Sequence, residues 1–339
     1  MGQMVGNSTG VTSSGARSSL EMMGAKETSQ GVRLAETYED LRPLLFSIAY
    51  RMLGSVAEAE DIVQEAFFRY HRALVEQDAE IESPKAYLSA VTTRLAIDHL
   101  RSGRVRKESY IGEWLPEPLL TDEDSPDAAR YVEDADSLSM AFLLLLERLS
   151  PVERAVFLLH DVFDYGYDEV APIIGKSETN CRKLASRARR HVDENKPRFD
   201  VSQQQRERLA NRFFDAVEDG DMDGLIEVLS ADVVVYGDGG GTSPSWRRPI
   251  FGRDKVVRLM LGMGRHANER GVRIERTEVN GQPGAMFLDP DGRLMWVLTL
   301  DIADGVVQTV RGVINPAKLR HLGPLADVRA IFREGTRRS

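Results

Sequence analysis

Apolar side chains recur every three or four positions through residues 41–107, which is the spacing of amphipathic helices. The helices that this pattern predicts cover 41–53, 57–74 and 84–103. Gly54 can end the first of them, and Ser83 and Pro84 supply an N-cap and a first helical residue for the third. Residues 1–32 are rich in Gly, Ser and Thr with few large apolar groups, so we expect them to be disordered.

A second helical segment follows downstream. Its predicted helices cover 138–149, 152–160, 168–174 and 178–191. Ser150 and Pro151 can cap and start the second of these helices. The last two are short and flank Gly175, with Ser177 as an N-cap, and such a pair is typical of a helix-turn-helix. Pro172 lies just past the first turn of its helix, where we expect a local distortion rather than loss of the motif.

The third segment, residues 203–315, changes from helical to strand-like patterning. Its predicted helices cover 205–217 and 225–229, and its predicted strands cover 233–236, 272–279, 285–288, 294–302 and 306–314. Residues 289–292 and 303–305 have the composition of hairpin turns. Helices followed by antiparallel strands predict an α+β domain.

Charge is distributed unevenly among these segments. Residues 108–136 contain ten acidic residues and one basic residue, while 94–107 contain five cations and one acid, and 176–198 contain eight cations and three acids. The formal net charge of −9 therefore averages two basic patches with one acidic linker. An overall acidic chain of this kind is not excluded from binding nucleic acid.

Other features of the composition narrow the class of protein. A single cysteine, Cys181, excludes an internal disulfide and fits a reducing compartment. The six histidines show no metal-ligand spacing, and we expect neither a metal nor a cofactor. No apolar run is long enough for a membrane span, and no N-terminal apolar core indicates a signal peptide.

The third predicted helix has cations away from its apolar stripe. Arg94, Asp98 and Arg101 share one face, and Arg104 follows near the end of the helix. Cations placed in this way suit phosphates and groove edges, and Tyr87 can stack on an unpaired base. A solvated helix face and a core tyrosine are the alternative interpretations.

The second helix of the predicted helix-turn-helix has a second set of candidates. Its candidate base-edge contacts are Glu178, Thr179, Arg182 and Lys183, and its candidate phosphate contacts are Arg187, Arg189 and Arg190. A purely structural helix pair is the alternative. On the helix at 57–74, Asp61, Gln64, Glu65 and Phe68 share an acidic and apolar side, which favours docking to a protein.

Three stretches of the chain resemble the σ70 family of RNA polymerase subunits. AEDIVQEAF at 59–67 resembles its core-polymerase-binding segment. PKAYLSAVTTRLAID at 84–98 resembles the −10-binding helix of the extracytoplasmic-function branch, and LSPVERAVF at 149–157 with the helix-turn-helix resembles the −35-binding domain. Tyr87 and Arg94 depart from that pattern, in which tryptophan and asparagine are common.

Three further motifs resemble the subgroup of that branch with a C-terminal SnoaL-like extension. They are WLPEP at 114–118, DGGG at 238–241 and NPAKL at 315–319. The implied fold is multidomain: two all-α sigma domains, the second with a helix-turn-helix, followed by an α+β SnoaL-like or cystatin-like cone domain. The implied segments are a disordered 1–32, sigma region 2 at 33–107, an acidic linker at 108–136, sigma region 4 at 137–198, a regulatory SnoaL-like domain at 203–316 and a tail at 317–339.

The resemblance also implies a role for each candidate residue. Core polymerase binding falls to Asp61, Gln64, Glu65 and Phe68. Binding of −10 DNA falls to Tyr87, Arg94, Asp98, Arg101 and Arg104, and binding of −35 DNA falls to Glu178, Thr179, Arg182, Lys183, Arg187 and Arg190. Regulatory contacts between domains fall to Trp114, Pro116, Asp238, Gly239, Gly240, Gly241, Asn315, Pro316 and Lys318.

The function implied by the resemblance is promoter-specific initiation of transcription, modulated by the C-terminal domain. The implied partners are core RNA polymerase, through its β and β′ subunits, and promoter DNA, and the implied location is the cytoplasm. An acidic linker suits a polymerase cavity that later holds RNA. The C-terminal domain would contact sigma region 2 or the linker, and binding of a small ligand stays open.

Two alternatives remain from the sequence. One is a helix-turn-helix regulator that senses a ligand in its C-terminal pocket and needs no polymerase. The other is a cyclase or ketosteroid isomerase fused to a DNA-binding segment, with Asp232, Asp238 or His266 moving protons between walls formed by Tyr236 and Trp246. Consecutive glycines at 239–241 fit a docking loop better than a catalytic scaffold, so we expect no enzymatic activity.

Overall fold

The structure is a computed structural model that describes residues 14–76, 81–108, 110–121, 135–194, 201–241, 243 and 248–329. For 14–33, 76, 104–108 and 135–136 it describes the backbone alone. The N-terminal residues 1–13, residues 109 and 122–134 of the acidic linker, Trp246 and residues 330–339 of the predicted tail lie outside the described residues.

The first helical unit consists of three helices, α1 (Ser14–Leu53), α2 (Val56–Glu76) and α3 (Pro84–Glu108). Helix α1 ends where predicted, at Gly54 with φ 69°, and Ser83 Oγ accepts a hydrogen bond from Ala86 N at 3.2 Å. The structure differs from expectation at the start of α1 and at the end of α3. Residues 14–32 extend α1 because adding turns to a packed helix avoids the cost of nucleation, and α3 continues five residues past Gly103.

The second helical unit begins with a 3-10 turn and contains the predicted helix-turn-helix. Its helices are α4 (Met140–Leu146), α5 (Pro151–Phe157), α6 (Tyr167–Ile174) and α7 (Glu178–Asp193). Ser150 and Glu153 form a capping box at the start of α5, and a π turn extends that helix to Val162. Gly175 has φ 67° and Ser177 caps α7, so the helix-turn-helix is confirmed despite Pro172 inside α6.

The C-terminal unit is an α+β domain with a six-stranded sheet. Its elements in chain order are α8 (Gln203–Asp219), α9 (Met222–Val228), β1 (Leu229–Asp238), β2 (Ile250–Phe251), α10 (Arg253–Glu269), β3 (Arg273–Val279), β4 (Gln282–Leu288), β5 (Leu294–Ala303), β6 (Val306–Val313) and α11 (Pro316–Leu319). The sheet order is β2-β1-β6-β5-β4-β3. Strands β3 to β6 form the predicted antiparallel meander, whereas β1 pairs with β6 in parallel.

Helix α10 was not predicted from the sequence. Its buried side chains, Val256, Val257, Met260 and Ala267, have helical spacing. This spacing was the signal from which the helix could have been predicted.

The helical units and the C-terminal unit pack against one another rather than standing apart. Leu115 of the linker and Met140 of α4, both 1 % exposed, join one apolar cluster with Val279, Val297 and Val313 of the sheet. Burying a side chain of this size contributes about 1.5–3 kcal/mol. Ile48 of α1 joins a separate cluster with Tyr165 and Val170 of the helix-turn-helix unit. Four parts of the chain therefore share buried surface.

Candidate functional site

Six of the seven predicted −35 contacts lie on the exposed side of α7, whereas Arg189 is half-buried and pairs with Asp161. Glu178, Thr179, Arg182, Lys183, Arg187 and Arg190 are exposed. The opposite side of the helix, with Cys181, Ala185 and Ala188, is buried as the stripe predicted. Arg182 pairs with Glu178 at 3.1 Å, and its guanidinium lies 5.3 Å from the centre of the Tyr167 ring. Burial raises the pKa of the Cys181 thiol, in keeping with a core residue.

The predicted polymerase-docking side of α2 is also open. Asp61, Gln64 and Phe68 are exposed, and Phe68 is 61 % exposed although it is a large apolar side chain. Glu65 is half-buried and pairs with Arg69 at 2.7 Å. An exposed phenylalanine beside carboxylates is a feature that a protein partner can cover.

The predicted −10 face of α3 has a different environment, because part of it contacts the helix-turn-helix unit. Arg94 donates to the carbonyl oxygens of Ile173 at 2.9 Å and Pro172 at 2.7 Å, at the C-terminal end of α6. Cations favour this end of a helix because its last carbonyls lack partners. Elsewhere on α3, Ser89 Oγ and Tyr165 Oη of the helix-turn-helix unit are 2.8 Å apart. The structure therefore places Arg94 on protein.

The other −10 candidates, unlike Arg94, are described by their contacts within the first helical unit. Tyr87 is half-buried with its ring centre 5.8 Å from that of Tyr70. Asp98 is exposed and pairs with Arg101 at 3.4 Å. Arg104 belongs to α3, but its side chain lies outside the described residues.

The regulatory candidates converge on Asp238 at the end of β1. Its carboxylate is fully buried and accepts hydrogen bonds from Leu115 N at 2.9 Å, Gly240 N at 3.0 Å, Lys318 Nζ at 2.7 Å and Tyr110 Oη. Tyr110 and Leu115 belong to the linker, whereas Lys318 belongs to α11. We refer to Asp238, Asn315 and Lys318 as the linker-binding surface.

The other two members of this surface complete its contacts with the linker. Asn315 Nδ2 donates to Tyr110 Oη at 2.9 Å, and the Lys318 ammonium lies 4.2 Å from the centre of the Trp114 ring, a cation–π geometry. Lys318 also donates to the carbonyl oxygen of Leu115. Burial, followed by the hydrogen bond to Asp238, raises the pKa of Tyr110, so its phenol is a donor to the carboxylate.

The glycines after Asp238 allow the close approach of other side chains. A Cβ on Gly240 would lie 2.4 Å from Asn315 Nδ2, and one on Gly241 would lie 2.9 Å from Ile111 Cβ. Both glycines have positive φ, 60° and 67°. Gly239 and Pro116 are buried nearby, and Pro316 is the first residue of α11.

Two residues that the sequence did not single out are buried in the same region. Glu117 of the linker accepts from Ser55 Oγ at 2.9 Å and from the first amides of α2, Val56 N at 2.7 Å and Ala57 N at 3.2 Å. It therefore caps α2 from another part of the chain. Asn280, between β3 and β4, is fully buried against Tyr50 and the linker. The Asn-Gly dipeptide was the signal that could have located this second residue.

The candidates for catalysis do not come together. Asp232 and His266 are exposed, and His266 Nδ1 lies 2.9 Å from the carbonyl oxygen of Gly262 on its own helix. Asp238 is occupied by the four hydrogen bonds described above. The guanidinium of Arg311 lies 5.7 Å from the centre of the Tyr236 ring. Trp246 lies outside the described residues.

A crevice of ≈970 Å³ lies where the two helical units, the linker and α11 meet. Tyr110 and Trp114 line it from the linker, His99 from α3, and Arg154 from α5. Burial lowers the pKa of Arg154 to about 10, and its Nε has no hydrogen-bond partner in the part of the chain that the structure describes. Among the described residues, no cluster of histidine, cysteine and carboxylate side chains could hold a metal ion, and no helix is long and apolar enough to cross a membrane.

The chain has two small helical units joined by a linker, and the second unit carries an exposed helix-turn-helix. An α+β cone follows them. This arrangement defines the class of σ70-type RNA polymerase subunits. The family comparisons agree. Sigma-70 region 2 matches residues 37–106, Sigma-70 region 4 matches 139–192, and the SnoaL-like domain matches 210–314.

The relatives define the class more narrowly. The ECF RNA polymerase sigma factor SigJ of Mycobacterium tuberculosis is 37% identical over 308 residues, 86% of this chain and 95% of SigJ. The protein named "Probable ECF RNA polymerase sigma factor SigI" of the same species is 33% identical over 284 residues, 82% of this chain and 92% of SigI. The crystal structure of M. tuberculosis SigJ superposes with a TM-score of 0.69 at 35% identity, covering 86% of this chain and 100% of that one. The chain belongs to the extracytoplasmic-function (ECF) sigma factors and carries a C-terminal SnoaL-like domain.

Proposed function

We propose that this sigma factor is held in a closed form by its own C-terminal domain, and that it opens when it joins core polymerase at a promoter. The observation that carries the proposal is the position of the linker, whose residues 110–121 bind the C-terminal domain through Asp238, Asn280 and Lys318. The segments proposed for these roles are those given above: 33–107, 108–136, 137–198, 203–316 and 317–339.

The residue roles within this proposal follow from exposure. Asp61, Gln64, Glu65 and Phe68 would bind the β and β′ subunits of cytoplasmic core polymerase. Arg182 and Lys183 would meet −35 base edges, and Arg187 and Arg190 would meet phosphates, because α7 presents them outward. Tyr87, Arg94, Asp98, Arg101 and Arg104 would bind −10 DNA. Arg94 would do so only after leaving the carbonyls of α6.

Simple lengths support the need for opening. The −35 and −10 elements are separated by about 25 base pairs, or roughly 85 Å at 3.4 Å per base pair. Residues 108–136 reach roughly 100 Å when fully extended. While 110–121 are bound to the C-terminal domain, the stretch that is left, 122–136, reaches only about 50 Å. The released linker can therefore span the distance between the two elements, whereas 122–136 alone falls short of it, and this difference favours release of the linker on promoter binding.

The ligand-sensing alternative has one supporting observation, which is the crevice between the four parts of the chain. Its ≈970 Å³ is within the range of ligand-binding cavities. A compound bound there would contact both helical units, the linker and α11, and would favour the closed form. The enzyme alternative has no comparable support, because Asp232 and His266 are exposed and the Asp238 carboxylate is bonded to the linker and α11.

The proposed function is tested by transcription in vitro with purified core polymerase. We expect the full chain to start transcripts at promoters bearing its −35 and −10 elements, and a chain ending before Gln203 to do so at lower sigma concentration. A full chain that neither binds core polymerase nor starts a transcript would contradict the promoter-specificity role. Equal output from both chains would contradict regulation by the C-terminal domain.

Arg94 allows a second prediction, because its guanidinium binds the carbonyls of α6 in the free chain and is proposed to bind −10 DNA at the promoter. Arg94→Ala should weaken the contact between α3 and α6 by about 1–2 kcal/mol, discounted for exposure, and should also weaken promoter binding. Arg94→Lys keeps the positive charge for phosphate but cannot reproduce the two directed bonds. We therefore expect it to open the free chain while largely retaining promoter affinity.

The measurements are hydrogen exchange across residues 167–176 in the free chain and salt-dependent promoter affinity in the polymerase complex. Faster exchange for both variants, with weaker promoter binding for the alanine variant alone, supports the dual role. Wild-type exchange in both variants would show that Arg94 does not hold the helix-turn-helix unit.

A further inference from the structure

Asn280 contacts three separate parts of the chain through one side chain. Its Nδ2 donates to Tyr50 Oη at 2.7 Å and to the carbonyl oxygen of Leu138 at 3.1 Å. Its Oδ1 accepts from Leu119 N at 3.0 Å. Tyr50 belongs to α1, Leu119 to the linker, and Leu138 to the turn that starts the second helical unit. Both hydrogen atoms of the amide and its oxygen are therefore used.

The backbone conformation of Asn280 places it in a tight hairpin turn that faces the linker. Asn280 and Gly281 have φ 54° and 68°, which is the left-handed pair of a two-residue hairpin turn between β3 and β4. Asparagine tolerates this conformation better than most residues with a side chain. The turn also exchanges backbone bonds with the linker, since Asn280 N donates to the carbonyl oxygen of Leu119 at 2.8 Å.

The contacts continue from Asn280 to the helix that carries the predicted polymerase-docking side. Tyr50 Oη accepts from Asn280 and donates to the carbonyl oxygen of Glu117 at 2.6 Å. The Glu117 carboxylate in turn caps the first amides of α2. Tyr50 and Asn280 are both fully buried, so neither bond is exchanged easily for a bond to water.

We propose that Asn280 is a positioning residue through which the C-terminal domain fixes the linker, and with it the start of α2, in the closed form. The inference rests on the proposed function and adds to it a second point of attachment, separate from the linker-binding surface of Asp238, Asn315 and Lys318. Asn280 acts through Tyr50 and Glu117 and needs no contact with polymerase or DNA.

The test compares three variants of the full chain by hydrogen exchange without polymerase. Asn280→Gly removes the side chain while keeping a residue that adopts positive φ, so the hairpin and its backbone bond are retained. Asn280→Asp keeps the shape but replaces the two donors with an acceptor facing the oxygens of Tyr50 and Leu138. Asp304→Gly is the matched control, since Asp304 has φ 52° in the exposed turn between β5 and β6.

We expect exchange of the amides at 115–121 and 55–58 to rise about tenfold or more in both Asn280 variants and to be unchanged in the Asp304 control. Tyr50→Phe should give a similar pattern, and combining it with Asn280→Gly should have a smaller effect than the sum of the two single changes, because the two residues share one bond. Exchange at wild-type rates in Asn280→Gly and Asn280→Asp would overturn the inference. So would an equal rise throughout β3–β6, which would mean that the turn supports only its own sheet.

The two proposals fail in distinguishable ways. If the wild-type chain starts transcripts and its C-terminal deletion responds as expected, but the Asn280 variants leave linker exchange unchanged, only the role of Asn280 is lost. If the wild-type chain starts no transcript, the proposed function is lost whatever the exchange rates.

Discussion

Replacing Lys318 with methionine is expected to destabilise the closed chain by about 3–5 kcal/mol, because the Asp238 carboxylate would remain buried without its cation. The side chains of Lys318 and Asp238 are 8% and 0% exposed, and their charged atoms are 2.7 Å apart. Methionine retains most of the apolar length of lysine, so loss of charge rather than loss of volume is tested. The same change removes the cation beside Trp114 and the bond to the Leu115 carbonyl.

The measurement is urea unfolding followed by tryptophan fluorescence, since Trp114 lies against Lys318. Arg212→Met is the control, because Arg212 and Glu227 form a pair at 2.6 Å whose side chains are 55% and 66% exposed. Exposed pairs contribute about 0–1 kcal/mol. Adding Asp238→Asn to Lys318→Met removes both charges and should recover part of the loss. Equal stability of the Lys318 and Arg212 variants would contradict the role given to the buried pair.

Most of the helices and the meander, but not α10, could be predicted from the sequence because their signals are local. Ser83, Ser150 and Ser177 cap helices at the predicted positions, and the spacing of Cys181 and Ala185 identified the buried side of α7. Family motifs identified the members of the linker-binding surface, Asp238, Asn315 and Lys318. These signals need no knowledge of what lies across the fold.

The contacts between parts of the chain could not be predicted in the same way. Asn280 and Tyr50 are 230 positions apart, and nothing in an Asn-Gly turn indicates the tyrosine that it binds. Glu117 was counted with the acidic residues of the linker, yet it is buried and serves as a helix cap. Arg94 was assigned to DNA from its charge, while the structure places it on the carbonyls of α6. A charge pattern shows which groups can bind an ion or a dipole, but it does not select between a phosphate and a helix end.

The linker consequently has two uses for the same residues. Its acidic character suits a polymerase cavity, whereas its described part, 110–121, is bound by apolar burial of Leu115 and by hydrogen bonds to the first helical unit and the C-terminal domain. In the proposed function, polymerase competes with these contacts for the linker. Changes that weaken them should lower the stability of the free chain and raise its capacity to join polymerase.

Glu117→Ala is expected to lower the stability of the free chain and to raise its affinity for core polymerase. The variant loses the carboxylate that accepts from Ser55, Val56 and Ala57, and we expect a loss of about 2–3 kcal/mol in the free chain. If the linker leaves this position in the polymerase complex, as proposed, the cost should be absent there. Association with core polymerase should therefore tighten, while unfolding of the free chain occurs at lower urea. Glu113→Ala is the control, since among the described residues Glu113 makes no hydrogen bond to α2 and lies on the same segment. Weaker stability together with weaker polymerase binding would mean that Glu117 supports α2 in both states, and the closed form would then owe nothing to this cap.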